Sequence, residues 1–116
     1  MSKGFLRRRV FYPGEMIFAG GELGMMVYIV EDGMVEIYKN RDGTEMSVAM
    51  IGPGRLFGEM SLIDGEPRMA AARVVEQSVI IAIEKKNFMK KIDEANPFIR
   101  KVFKILIETA RKNSEL

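Results

Sequence analysis

The chain contains no cysteine and no histidine in 116 residues. Without cysteine there is no disulfide, no thiol nucleophile and no thiolate-held zinc or iron–sulfur centre. Without histidine, Ser-His-Asp triads, imidazole-held zinc or iron and ordinary haem ligation also fall away. Carboxylate-only magnesium or calcium sites survive this exclusion. No Asp-rich loop of calcium-binding spacing occurs, however, and no metal, cofactor or catalytic residue is expected. No apolar run approaches the roughly 20 residues that span a bilayer. The opening MSKGFLRRRV lacks the apolar centre of a signal peptide. A cytoplasmic protein without a membrane partner is expected. An excess of one charge is missing too: Lys+Arg 18 against Asp+Glu 16 leaves a formal +2, too balanced to argue for nucleic acid. The one dense cationic run, Arg7–Arg9, reads as a solvated strand edge.

What is present is a β-rich stretch followed by helices, in a length that suits one domain over residues 1–116. Up to about residue 83, short strands alternate with glycine-bearing turns. Within MMVYIVEDGMVEIYKN, the EDG at 31–33 sits between two β-rich runs and predicts a hairpin. NRDG at 40–43 predicts a second turn, leading into TEMSVAMIG. In that strand Met46, Val48 and Met50 share one face against Glu45, Ser47 and Ala49, which predicts a buried methionine–valine side. SVIIAIE at 78–84 is apolar on both faces and predicts a central strand. Many short strands at this spacing suggest a sandwich, a jelly roll or a barrel.

From Glu84 the period changes. Helices are predicted over about 85–94 and about 97–112, with Asn96 as the cap of the second and Pro97 in its first turn. On that second helix the apolar residues fill an arc of roughly 200°, about twice the ~100° stripe that one core requires. A ligand, a partner helix or both could occupy the surplus. The alternative is a helix wedged deep in its own domain.

The chemistry concentrates in FGEMSLIDGEPRMAAARV at 57–74. One carboxylate, Glu59, follows a glycine, and one guanidinium, Arg68, follows a proline. The small side chains of Ala70, Ala71 and Ala72 let an anion approach the main chain. GEMSLI reads as a single helical turn, whose N–H groups favour negative charge. Paired guanidinium donors suit a phosphodiester, and an ionised Glu59 accepts hydrogen bonds from hydroxyls. The competing reading is a Glu59–Arg68 salt bridge decorating a loop.

This stretch closely resembles the phosphate-binding cassette of the cyclic nucleotide-binding domain family. FAGGELGMMVYIVEDGMVEIY, with Gly21, Gly24, Tyr28 and Gly33, is similar to that family's glycine-punctuated strand pair. MIGPGRLFGE is similar to its run into the cassette. The resemblance implies a mainly β fold: an eight-stranded antiparallel, jelly-roll-like β-roll over about 7–83, with a short phosphate-binding helix and two C-terminal helices. It also implies a non-catalytic sensor. Gly58 and Glu59 would hold the ribose 2′-OH, Arg68 the cyclic phosphate, and main-chain N–H groups near Met60, Ser61, Met69 and Ala70 would complete the shell. The last helix would cover the purine as a lid, with Thr109, Arg111, Asn113 and Ser114 as candidate base contacts.

Two departures from the family pattern stand out, the first at a turn and the second bearing on the ligand. Met25 and Met26 stand where polar residues are usual. Met69 and Ala71 stand where some members carry a hydroxyl, which leans towards cAMP over cGMP. A homodimer through the last helix and a downstream protein partner are further expectations; direct nucleic-acid binding is not. The alternative is a nucleotide-free scaffold that keeps the roll. An Arg68→Ala change is expected to weaken ligand binding and leave the fold intact.

Overall fold

A computed structural model describes residues 6–60 and 65–114, side chains excepted at 107 and 110–114. Among the described residues six strands are formed: β1 (Leu6–Phe11), β2 (Met16–Phe18), β3 (Met26–Arg41), β4 (Thr44–Ile51), β5 (Leu56–Phe57) and β6 (Ala71–Glu84). They are followed by helices α1 (Lys85–Glu94) and α2 (Pro97–Ser114). All pairings are antiparallel, in the order β1-β6-β3-β4, with β2 also on β6 and β5 on β3. The expected mainly β fold with two terminal helices is therefore present. SVIIAIE lies in β6, which is flanked by strands on both sides and buries Ser78, Ile80, Ala82 and Ile83.

Six strands stand where eight were expected because β3 and β6 run unbroken for 16 and 14 residues. The EDG segment makes no hairpin. A two-residue hairpin loop of the favoured type needs positive φ at both central residues, and only Gly33 has it here, at 101°. Asp32 instead pairs with Val79, and the chain passes through register shifts between Val30 and Val35. Ser78 fills the irregularity: its Oγ accepts from the Met34 N–H at 3.0 Å and donates to the Glu76 carbonyl at 2.8 Å. An added Cβ at Gly33 would overlap the Ser78 Oγ. By contrast, Asp42 and Gly43 have φ of 53° and 80°, and there the predicted turn between β3 and β4 forms.

The face assigned to β4 is corrected. Met46, Val48 and Met50 are about half exposed, whereas Ala49 packs against the core and Ile51 is buried. The register skips Val48, since Ile37 faces Ala49 while Tyr38 faces Ser47. The skip puts Met46, opposite Lys39, on the same face as Ala49 and Ile51, and Met50 on the other, so the methionine–valine row is split between the two faces of the strand. The edge position of β4 leaves the displaced side chains open.

The main core gathers Phe11, Phe18, Val30, Val35, Ile51, Phe57, Ala72, Val74 and Ile80. Each fully buried Val or Ile there contributes about 1.5–3 kcal/mol relative to exposure. A second cluster of Val27 and Ile83, with Ile29, Ile81 and Phe88, seats α1 on the sheet. Phe88 in turn meets Phe103 of α2 edge-on at 5.7 Å. The Asn96 side chain accepts from the Phe98 N–H at 2.8 Å, the expected cap. The Arg7–Arg9 run lies on β1, an edge strand, with Arg8 paired to Glu31 at 2.9 Å and Arg7 to Glu84 at 3.8 Å.

Candidate functional site

Pro67 cannot donate from its nitrogen, so the chain here is fastened through the next residue. The Arg68 N–H donates to the Glu22 carbonyl at 2.8 Å, and the Gly21 N–H donates to the Arg68 carbonyl at 2.8 Å. These two bonds tie the cassette to the loop between β2 and β3. Glu22 steadies that loop by accepting from the Ala19 N–H at 3.0 Å.

The Arg68 side chain then turns inward and is only 6% exposed. One terminal nitrogen donates to the Gly58 carbonyl at 2.7 Å and the other to the Met26 carbonyl at 2.8 Å. The guanidinium lies 4.0 Å from the Phe18 ring centroid and 5.9 Å from that of Tyr28. Those rings belong to a stack in which Tyr28 and Phe57 are 5.2 Å apart. Gly58, with φ of 81°, permits the contact: a Cβ there would stand 2.8 Å from the Arg68 nitrogen.

This cation is incompletely satisfied. Its Nε is buried and has no acceptor, and no ion pair among the described residues includes it. The Glu59–Arg68 salt bridge of the competing reading is therefore not formed. Burial pushes the guanidinium below its usual pKa, while Tyr28, Glu22 and Glu59 oppose that shift through space. Burial raises the Tyr28 phenol in turn. A buried charge without a counter-charge is costly, and an anion with oxygen acceptors would relieve it.

A cleft of about 450 Å³, within the roughly 300–1,000 Å³ usual for small-molecule sites, is lined in part by Arg68, although Gly58, Met26, Phe18 and Tyr28, which surround the guanidinium, are not among its lining residues. Arg68, Met69, Ala70 and Gly20 line one part of it, and Tyr38, Asn40 and Glu45 another. Behind Tyr38, the Arg73 guanidinium lies 4.1 Å from the ring centroid and bridges Glu36 at 3.0 Å and Glu45 at 2.9 Å.

The expected site residues are thus distributed unevenly. Arg68, Met69 and Ala70 meet at the cleft, and Gly58 supports Arg68 from behind. Glu59 and Met60 are helical and half-buried beside them; Ser61 lies outside the described residues. Thr109 is exposed on α2, and no described side chain of that helix lines the cleft. The side chains of Arg111, Asn113 and Ser114 lie outside the described ones.

Arg68→Ala is expected to lower stability as well as ligand binding. The change would strand two carbonyls and open a void against Phe18. The sequence reading also missed the Met26 carbonyl and the Phe18–Tyr28 platform. Both lie far from Arg68 in the chain, and as apolar strand residues they carry no signal beyond core packing.

A model of the family described as "cyclic nucleotide-binding domain" matches residues 8–95. The chain is 37% identical over 89 residues to the cyclic AMP receptor protein of Thermus thermophilus, covering 76% of this chain and 41% of that one. The crystal structure of the Thermus thermophilus catabolite activator protein superposes with a TM-score of 0.82 at 32% identity, covering 95% of this chain and 52% of that one. An EAL enzyme in its cGMP-bound form gives 0.80 at 28% identity, covering 94% of this chain and 29% of that one. The chain spans about half or less of each of these proteins.

Proposed function

Because the chain belongs to the cyclic nucleotide-binding domain family, we propose that its cleft takes 3′,5′-cyclic AMP and that the domain acts as a non-catalytic sensor. The observation that carries this reading is Arg68, a buried guanidinium that has, among the described residues, no counter-charge and no acceptor for its Nε. A cyclic phosphodiester supplies one negative charge and two exocyclic oxygens, which is what this group lacks. The Met69–Ala70 main chain, left open by small or displaced side chains, adds N–H donors. Glu59 accepts from the ribose 2′-OH. Preference for cAMP rests on Met69 and Ala71, which offer no hydroxyl to a guanine amino group.

On binding, α2 swings towards the cleft and covers the base through Thr109, Asn113 or Ser114. Its apolar face, now open at Phe98, Ile99, Val102, Ile105 and Leu106, changes partner in the process. That face also pairs two copies of the chain, and a downstream protein reads the change. Such a relay requires the ligand to favour one helix arrangement over the other.

Calorimetric titration with cAMP and cGMP tests the ligand. Arg68→Ala should weaken cAMP binding about ten- to hundredfold, as expected for lost charge-assisted bonds. Its melting temperature should fall in parallel, so affinity is compared at a temperature where both forms are folded. Equal affinities under that condition would remove Arg68 from the site.

A further inference from the structure

We infer that the Asn40–Glu45 pair on the β3–β4 hairpin reads an exocyclic amino group of the bound base. This inference rests on the proposed nucleotide site and names the residues that would give it base selectivity. Asn40 and Glu45 are cross-strand partners and line the same cleft as Arg68. Cross-strand partners project from the same face of a sheet and meet side by side. Their distance from Met69, the residue after Arg68, follows from the sheet. Tyr38 pairs with Ala71, so continuing that antiparallel register places Asn40 beside Met69. Glu45 lies one strand further across, about 10 Å from Met69 at about 4.8 Å per strand. A mononucleotide with its phosphate on Arg68 spans a comparable length and brings its base to the hairpin.

The chemistry of the pair selects an amine. Glu45 is held in place by Arg73, which takes one carboxylate oxygen at 2.9 Å and is itself fixed by Glu36 and the Tyr38 ring. A carboxylate has further lone pairs to offer and no donor, so the free oxygen of Glu45 accepts only. The Asn40 amide makes no side-chain bond among the described residues and offers both an oxygen acceptor and an NH2 donor beside it. The turn at Asp42–Gly43, with both φ positive, sets the hairpin that carries them. The acceptor-only carboxylate of Glu45 on its braced hairpin, with the Asn40 amide oxygen able to join it, fits the 6-amino group of adenine and repels a carbonyl at that position.

The test compares cAMP with purine riboside 3′,5′-cyclic phosphate, which lacks the 6-amino group, and with cyclic IMP, which carries oxygen there. The wild-type chain should bind cAMP about five- to tenfold tighter than the amino-free analogue. Asn40→Ala should shrink that ratio, and Glu45→Gln should reverse the order of cAMP and cyclic IMP. In both variants the affinity for the amino-free analogue should stay as in wild type, which separates base reading from misfolding. A wild-type ratio near one, or a ratio unchanged in both variants, would overturn the inference and leave the phosphate site standing. Failure of the wild type to bind any of the three would overturn the nucleotide site itself.

Discussion

Removing a guanidinium from water without a carboxylate costs several kcal/mol in a protein interior, and Arg68 is only 6% exposed. Two carbonyls and the Phe18 face offset part of that cost. The nearest charged relief is through-space attraction from Glu22 and Glu59. From the sequence, Arg68 stands out as a candidate anion-binding group because proline, glycine and alanines surround it. That it is also a structural strut is not legible there, since Gly58 and Met26 lie 10 and 42 residues away. Arg73 shows the opposite economy, with two acids to itself. Hydrogen bonds from Ser47 and then Arg73 hold the Glu36 carboxyl below its ordinary 4.5. Folding therefore favours the ionised form, so this contribution is complete above about pH 4.5 and fades as pH falls through the lowered value. Glu36→Gln should flatten the acid limb of a plot of melting temperature against pH. An unchanged limb would show that the network adds nothing to stability.

At the scale of elements, two glycine-bearing turn signals of similar strength had different outcomes. NRDG closes a hairpin because Asp42 and Gly43 both adopt positive φ. EDG does not, because β6 lies alongside and Ser78 takes up the hydrogen bonds that the irregular register leaves over. Local composition is nearly the same in the two cases; the difference is a neighbour some 45 residues downstream, which no window over the sequence contains. The methionine–valine row of β4 is split between faces by a feature of the same kind, a register slip at Val48 invisible to a period-of-two count. Gly33→Ala is expected to lower stability by at least 1–3 kcal/mol, roughly the cost of one strained residue, with the Ser78 overlap added. Paired with Ser78→Gly, it should lose less than the sum of the two single changes in denaturant unfolding. Strict additivity would mean that the two residues do not meet.

Across the whole molecule, the terminal helix defines what is still open. Its excess apolar arc was read from the sequence, and the helix lies away from the sheet with Phe98 71% and Leu106 61% exposed. The alternative of a deeply wedged helix is thereby excluded. A lone helix face of this kind is an association surface by physical expectation. Ile105→Lys with Leu106→Lys should shift sedimentation of the chain from dimer to monomer; a monomeric wild type would end that proposal without touching the ligand site. The central claim concerns Arg68, and a crystal structure of the chain grown with 3′,5′-cyclic AMP tests it most directly. The phosphate is expected in the cleft with an exocyclic oxygen within hydrogen-bond distance of the Arg68 Nε. A nucleotide seated elsewhere, or an Nε still without an acceptor beside an empty cleft, would contradict it.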